Sequence, residues 1–250
     1  MEALLEPLRE LAEIEEIQNE KKKEAGLIQI TGCVGSQKTH LTCALGSDCK
    51  YKLIVTSGES KAKQMYEEYR FLKETVYLYP AKDLLFYHAD LRGKQLVSSR
   101  METIQALLLG EGCTVITTFD AFMDSLLPIE TIRERVFSLK VGDIIDFEKV
   151  QKDLTLLGYE REVQIEGPGQ FAVRGGILDV YPLTEEVPVR IELWDDEIDS
   201  IRTFDVESQR SIENLEEITI YPASEFMDEK TKRVSFLDYF PREDTLLFLE

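Results

Sequence analysis

The segment from Gly32 to Thr39 has the residue types and the spacing of a phosphate-binding loop. It reads Gly-Cys-Val-Gly-Ser-Gln-Lys-Thr, close to G-x-x-x-x-G-K-[ST], in which backbone N–H groups surround a phosphate while the lysine and the hydroxyl reach phosphate and magnesium. Gln37 stands where the pattern has its second glycine, and a side chain there would crowd the phosphate. We therefore expect Gly32, Gly35, Gln37, Lys38 and Thr39 to form a degenerate phosphate loop that binds no ATP, with a working ATP site as the alternative.

An enzyme built on this loop would need further groups. A P-loop ATPase or a helicase lobe acting on DNA uses an acidic residue for magnesium and usually a second lobe with an arginine finger. The apolar run Leu246–Leu249 leads into Glu250, which resembles the approach to that acidic residue but supplies a single carboxylate. No second lobe follows, so we expect no catalytic residue, and we expect the chain to be a fragment of a longer protein.

Alternating strands and helices surround the loop. Leucines and isoleucines from Leu4 to Ile17 recur at helical spacing and predict one amphipathic first helix. The strands predicted after it are Gly26–Thr31, Tyr51–Thr56, Thr75–Tyr79 and Cys113–Thr118. The helices predicted between and after them are a run to Leu45, Ser60–Lys73, Leu96–Leu109 and Phe119–Leu127, with a loop over residues 80–93. This alternation predicts an α/β fold with a parallel, doubly wound sheet.

The pattern becomes rich in strands after Pro128. One helix is predicted over Phe147–Leu157, and glycine-containing turns at 167–169 and 175–176 separate neighbouring strands. The predicted strands are Arg135–Val141, Glu162–Ile165, Gln170–Arg174, Ile177–Tyr181, Val187–Trp194, Ser200–Asp205, Ile218–Tyr221 and Thr245–Leu249. Most of this stretch therefore forms an inserted α+β module, after which the chain returns to α/β character.

Composition bounds the possible functions. The chain carries 29 Lys and Arg against 48 Asp and Glu, a formal net charge of −19, which disfavours a general nucleic-acid binder. Its four cysteines form no CxxC pair, so we expect reduced thiols and no metal site. No stretch resembles a signal peptide or a membrane span, so we expect a cytoplasmic protein without a membrane partner.

Three stretches together resemble the N-terminal region of the bacterial transcription-repair coupling factors (Mfd), whose first domains are similar to the nucleotide-excision-repair protein UvrB. They are the degenerate loop, the segment Ser98-Ser99-Arg100-Met101, and a long block that runs from Gly158-Tyr-Glu-Arg161 through Gly169-Gln-Phe-Ala-Val-Arg-Gly-Gly176 and Ile177-Leu-Asp-Val-Tyr-Pro182 to Ser208-Gln-Arg210. The stretch Asp238-Tyr239-Phe240-Pro241 also resembles UvrB. In all, the resemblance spans about residues 25–250.

The resemblance implies three domains and a partner. Residues 1–128 would be domain 1A, a degenerate RecA-like (P-loop NTPase-like) sheet without ATPase activity. Residues 129–211 would be domain 2, the UvrB-domain-2-like module that binds UvrA, and residues 212–250 would be domain 1B, which returns a strand to the first sheet. The other domains of the full-length protein, an ATP-dependent DNA translocase, would contact RNA polymerase and DNA and could hold this region in an autoinhibited state. The stretch Ala81–Leu96 is shorter than the DNA-clamping hairpin of UvrB, which disfavours a damage sensor.

Two arginines of the inserted module match positions where the UvrB-like interface uses arginine. Arg161 and Arg174 are therefore the candidate UvrA contacts, because a guanidinium pairs carboxylates in a bidentate way. Ala172 stands where UvrB has another arginine, and strand alternation puts Phe171 on the other face, in the core. The alternative is that both arginines pair with neighbouring glutamates on an ordinary surface. We also expect Trp194 to be a packing anchor within an acidic, solvated run.

Overall fold

The computed structural model describes residues 2–22, 27–72, 75–82, 91–225 and 232–250. The chain forms two compact units. Unit 1 contains residues 1–82, 109–124 and 235–250, and unit 2 contains residues 83–108 and 125–234. The domain boundaries after residues 128 and 211 stay a prediction.

The helices and strands alternate in the first half of the chain, and strands predominate in the second. The helices are α1 (Glu2–Arg9), α2 (Ala12–Lys22), α3 (Gln37–Leu45), α4 (Glu59–Leu72), α5 (Leu91–Leu109), α6 (Phe119–Phe122), α7 (Ile129–Arg133) and α8 (Phe147–Leu156), with 3-10 turns at Phe236–Tyr239 and Arg242–Asp244. The strands are β1 (Tyr51–Thr56), β2 (Val76–Tyr79), β3 (Thr114–Thr118), β4 (Ser125–Leu126), β5 (Phe137–Lys140), β6 (Glu160–Glu162), β7 (Gln170–Arg174), β8 (Ile177–Tyr181), β9 (Val189–Trp194), β10 (Glu197–Phe204), β11 (Ser211–Leu215), β12 (Glu217–Ile220), β13 (Val234–Ser235) and β14 (Thr245–Leu249).

Unit 1 is built on a parallel sheet with the strand order β14-β1-β3-β2. All six residues of β1 are buried, because β14 and β3 pair with its two edges. The side chains of Ile54 and Ile116 pack against α4 residues such as Met65 and Tyr69 to form the core of this unit. The parallel sheet and the return of β14 to it, with Tyr51 opposite Thr245, confirm the sequence predictions.

Three local predictions for unit 1 are wrong. The first helix is interrupted after Arg9, so two shorter helices replace one, and Leu11 is half exposed. Residues 27–31 form no strand, since they join no hydrogen-bonded ladder and the Leu27 side chain is 95% exposed. The helix that starts at Phe119 ends after one turn, where residues 125–126 pair as strand β4 with β13. The predicted loop 80–93 falls mainly outside the described residues.

Unit 2 contains a six-stranded sheet with the order β11-β10-β9-β8-β7-β6. Its neighbouring strands are antiparallel except for β6 and β7, which are parallel. One face packs against α8, whose Val150 and Leu154 meet Phe171, Leu178 and Ile191 of the sheet in the main core. The inserted α+β module and the buried position of Phe171 are therefore as the sequence predicts.

Two edges of this sheet differ from the predictions. The strand expected over Glu162–Ile165 lies at Glu160–Glu162, because Ile165 turns inward and packs against Ala172 and Phe204. Strand β11 extends the opposite edge and was not expected, since its residues are mostly exposed and polar. The helix predicted over Leu96–Leu109 also begins earlier than expected, at Leu91.

Candidate functional site

One backbone N–H group of the degenerate loop is already hydrogen-bonded to a side chain of the loop. Gly32 and Gly35 have φ of +90° and +53°, which glycine adopts without strain. The side-chain oxygen of Gln37 accepts a hydrogen bond from the backbone N–H of Val34 at 3.1 Å. In a phosphate-binding loop such an N–H group would face the anion. The glutamine that replaces the glycine thus occupies one of the donors that a phosphate would use.

The two hydroxyl groups of this loop bind a carboxylate of helix α4. Ser36 Oγ donates to Glu68 Oε1 at 3.0 Å, and Thr39 Oγ1 donates to Glu68 Oε2 at 2.5 Å. Gln64 donates to the same carboxylate at 2.9 Å. Burial raises the pKa of Glu68, but the hydrogen bonds from Thr39, Gln64 and Ser36 outweigh it and leave the pKa below its ordinary value. The carboxylate is therefore ionised and accepts hydrogen bonds from both hydroxyl groups of the loop.

The lysine of the loop is also neutralised within unit 1. Lys38 Nζ lies 2.6 Å from Glu250 Oε1, and Lys61 Nζ lies 3.1 Å from the same oxygen. Burial raises the pKa of Glu250, and the hydrogen bonds and charges of both lysines outweigh that effect and lower it. The residue that follows β14 thus forms a direct ion pair with the loop lysine, a contact that the sequence pattern did not predict.

The second candidate site is the polar face of the six-stranded sheet in unit 2. Asp179 of β8 is 2% exposed and receives two arginines. Arg190 donates to it through Nε at 2.7 Å and Nη2 at 2.9 Å, a bidentate pair, and stacks 4.3 Å from the ring centre of Phe204. Hydrogen bonds to Asp179 are the main reason that the pKa of Arg190 is raised. We call Arg174, Asp179 and Arg190 the arginine cluster.

Arg174 is the outer member of this cluster. Its Nη2 donates to Asp179 Oδ2 at 2.6 Å, while 44% of its side chain remains exposed. Among the described residues, the ion-pair partner of Arg174 is thus the buried carboxylate of Asp179 and not a neighbouring glutamate. A guanidinium has five N–H donors, so most of them stay available to a partner in a fixed orientation.

Arg161 lies elsewhere on the sheet. It is exposed at the centre of edge strand β6, opposite Phe171 in the ladder. Opposite residues share a face, and successive residues alternate, so Arg161 and Arg174 belong to opposite faces. Within the described ranges Arg161 has no ion pair. The structure thus places both arginines in one sheet without bringing them together.

Sequence reasoning missed Asp179 and Arg190. The signal was present, because Asp179 is a lone carboxylate within the apolar strand Ile-Leu-Asp-Val-Tyr, and a buried charge requires a partner. The identity of that partner depends on the strand register, which places Asp179 directly opposite Arg190. The prediction that Trp194 is a packing anchor is wrong, since this side chain is 80% exposed at the end of β9.

Comparison with known proteins places this sheet in a family. Residues 137–226 match the family model of the UvrB interaction domain. The chain is 34% identical to the transcription-repair-coupling factor of Bacillus subtilis (strain 168) over 215 residues, which are 84% of this chain and 18% of that protein. It is 36% identical to the same factor of Staphylococcus epidermidis over 203 residues, 80% of this chain and 17% of that protein.

The chain is related to the N-terminal, UvrB-like region of the transcription-repair-coupling factors. This confirms the resemblance seen in the sequence. A further match, to the factor of Staphylococcus aureus (strain MRSA252), is 40% identical over 154 residues. The chain spans less than a fifth of the length of the curated relatives it matches.

Two other kinds of site are absent from the described ranges. No group of three or more His, Cys, Asp or Glu side chains is arranged to hold a metal ion there. None of the helices in the same ranges has the length and apolar character needed to cross a bilayer.

Proposed function

We propose that this region is a non-catalytic adaptor of a transcription-repair coupling factor. In this proposal the sheet of unit 2 binds UvrA and so recruits nucleotide excision repair to stalled RNA polymerase. The match of residues 137–226 to the UvrB interaction domain supports a role in repair coupling, because that match covers the whole arginine cluster. RNA polymerase and DNA would be contacted by other parts of the full-length protein, which could also cover this surface in an autoinhibited state.

The observation that carries the proposal is the half-exposed, preorganised guanidinium of Arg174. Its link to buried Asp179 restricts the side chain before binding, which reduces the entropy lost on association. Arginines of this kind are enriched among the residues that dominate interface energies. The partner surface should therefore present a carboxylate to Arg174. Arg161, on the opposite face of the edge strand, is a second candidate contact that must act independently of this cluster.

A titration of the chain with UvrA tests this assignment. Arg174→Ala should weaken binding by more than about 1 kcal/mol, roughly fivefold or more, as expected for an interface hot spot. The fold should persist, because Asp179 keeps its bidentate pair with Arg190. Arg133→Ala is a matched control, since Arg133 is an exposed arginine on α7 of the same unit. Equal affinities for the Arg174 variant, the Arg133 variant and the unaltered chain would contradict the assignment.

We further propose that the loop binds no nucleotide, which opposes the alternative of a P-loop ATPase or helicase lobe. Gln37 occupies a loop N–H group, and the ionised carboxylates of Glu68 and Glu250 would repel a phosphate. Millimolar ATP with magnesium should therefore leave the melting temperature unchanged and release no phosphate. A thermal shift of several degrees, or phosphate release above the buffer rate, would favour the ATPase. We expect the region as a whole to bind no cofactor.

A further inference from the structure

Trp194 is the one tryptophan in the sequence, and its side chain is largely in solvent. It ends strand β9 at the β9–β10 hairpin, where it lies opposite Glu197. Glu197 is also bridged to Ile144, whose side chain is 74% exposed. Because opposite residues in antiparallel ladders share a face, Trp194 and Ile144 flank Glu197 on the same side of the sheet.

This side is the face that carries Arg174. The ladder places Arg174 opposite Ile177 and Ile177 opposite Glu192. Trp194 follows Glu192 by two residues, so the two side chains point the same way, while Leu193 between them packs against the core. The exposed apolar residues Trp194 and Ile144 therefore lie on the same face of the sheet as Arg174.

Backbone hydrogen bonds hold the hairpin end in place. The N–H of Gly142 donates to Ile198, that of Ile145 donates to Asp196, and that of Ile198 donates to Asp143, at 2.8–2.9 Å. Trp194 is thus presented on a fixed backbone, which keeps the conformational cost of binding low. An exposed tryptophan and an exposed arginine on one face are residue types that are enriched at the energetic centres of interfaces.

The charge around the pair indicates the chemistry of its partner. The hairpin end and the strand after it carry four exposed carboxylates that have no ion-pair partner in the described part of the chain. These are Asp195, Asp196, Glu197 and Asp199. A complementary surface would place basic side chains around an apolar pocket, because like charges opposed across an interface are unfavourable.

We propose that Trp194 and Ile144 form an apolar anchor that enters a basic-rimmed apolar pocket on the same partner that Arg174 contacts. This inference rests on the proposed binding of UvrA. It adds to that proposal a second contact region at the hairpin end, with a tryptophan as its centre. The anchor would contribute affinity through burial of apolar area, whereas Arg174 would contribute orientation through its carboxylate partner.

The single tryptophan permits a direct test. The whole chain is prepared with 5-fluorotryptophan, which places one fluorine signal at position 194, and is titrated with unlabelled UvrA while binding is followed independently by calorimetry. The signal should shift and broaden in step with calorimetric saturation. Calorimetric binding with an unchanged fluorine signal would overturn the anchor and leave the proposed function standing. Absence of binding by both methods would overturn both.

Variants separate the anchor from general effects on the fold. Trp194→Ala and Ile144→Ser should each raise the dissociation constant, by about tenfold for the tryptophan, without changing the melting temperature. Leu156→Ala is the matched control, because Leu156 is an apolar, 65% exposed residue on α8, which covers the opposite face of the sheet. An equal loss of affinity for UvrA in the control and in the anchor variants would contradict the inference. A fluorine signal that changes with dilution of the chain alone would assign the patch to self-association and would also overturn it.

Discussion

Glu68 and Glu250 give the degenerate loop its chemical character. A loop with Lys and Thr at its helix end would attract anions, yet here two ionised carboxylates of the same unit neutralise these groups. Each contact is local in space and distant in sequence, since Glu68 lies 29 residues from Thr39 and Glu250 lies 212 residues from Lys38. Gln37, Glu68 and Glu250 are therefore three separate features that, under the proposed function, would oppose phosphate binding.

The pKa of Glu68 predicts how unit 1 responds to acid. Its folded pKa lies below the ordinary value, so the unfolded chain binds a proton more readily. The stabilisation is complete above the unfolded pKa, at about pH 4.3, and is lost as the pH falls through the folded pKa. Glu68→Gln should therefore lower the melting temperature at pH 7. At pH 3 the difference in melting temperature between the variant and the unaltered chain should be smaller.

Thermal melts of both chains between pH 7 and pH 3 check this prediction. Glu67→Gln is a suitable control, because Glu67 is a more exposed neighbour whose only described ion pair is with Arg70 at 3.6 Å. A difference between the Glu68 variant and the unaltered chain that stays constant down to pH 3 would be incompatible with the proposed hydrogen-bonded carboxylate.

At the scale of single elements, the end of α8 shows how one glycine positions the sheet. Gly158 follows the helix with φ of +88°, and Ala223 N–H donates to the carbonyl of Leu157 at 2.8 Å. A Cβ at position 158 would lie 2.0 Å from Ser224 Oγ and 2.8 Å from Ser224 Cβ. Rotation of the serine side chain cannot relieve the second contact, so the chain that enters β6 depends on glycine there.

Gly158→Ala should destabilise unit 2 more than Gly142→Ala does. Gly142 has the same φ of +88° with nothing within 4 Å of an added Cβ, so its variant reports the backbone cost alone, about 1–2 kcal/mol. The overlap with Ser224 should add about 1–3 kcal/mol, the usual cost of overpacking. Urea unfolding of both variants measures the difference. Ser224→Gly should recover part of the loss in the Gly158 variant; equal unfolding free energies for the two alanine variants would contradict this account.

The elements that the sequence predicts well are those whose pattern depends on local burial. Strands β1, β3, β7 and β8 are continuous apolar or alternating runs, and the structure has them within a residue or two of the prediction. The segment 27–31 has an equally apolar pattern and no ladder partner, so its strand does not form. Whether a segment finds a neighbouring strand to pair with decides between these cases, and the local sequence pattern does not predict that pairing.

The candidate site also contains parts that the sequence predicts and parts that depend on strand pairing. The resemblance predicts Arg174 as a candidate contact, and strand alternation predicts the face on which it lies. Its partner Asp179 and the bidentate role of Arg190 required the register of three strands. The exposure of Trp194 could not be read from its type, because tryptophan is usually buried to a large extent. Its position at the end of β9, on the face of the sheet opposite to the one that α8 covers, leaves it exposed.

At the scale of the whole molecule, the net charge of −19 acts on both stability and binding. Most acidic side chains are exposed, so they repel one another in the compact state more than in the unfolded chain. Of the two arginines in the proposed function, Arg174 is held by the buried carboxylate of Asp179. Mean charge therefore describes solubility and self-repulsion, whereas the proposed recognition would depend on individual positions such as Arg174.

Added salt should consequently stabilise the folded chain and weaken its binding to UvrA. Raising sodium chloride from about 20 to about 300 mM shortens the screening length from roughly 20 Å to less than 10 Å and weakens repulsion among exposed carboxylates, so the melting temperature of the chain should rise.

The same screening should weaken the contact of Arg174 with its partner, so the dissociation constant for UvrA should increase with salt, and less steeply for Arg174→Ala. Melting and binding measured in the same buffers check both signs, with sucrose as a control for stabilisation without screening. A melting temperature that falls with salt would mean that favourable ion pairs, such as those of Glu250 and Asp179, outweigh the repulsion of the acidic surface.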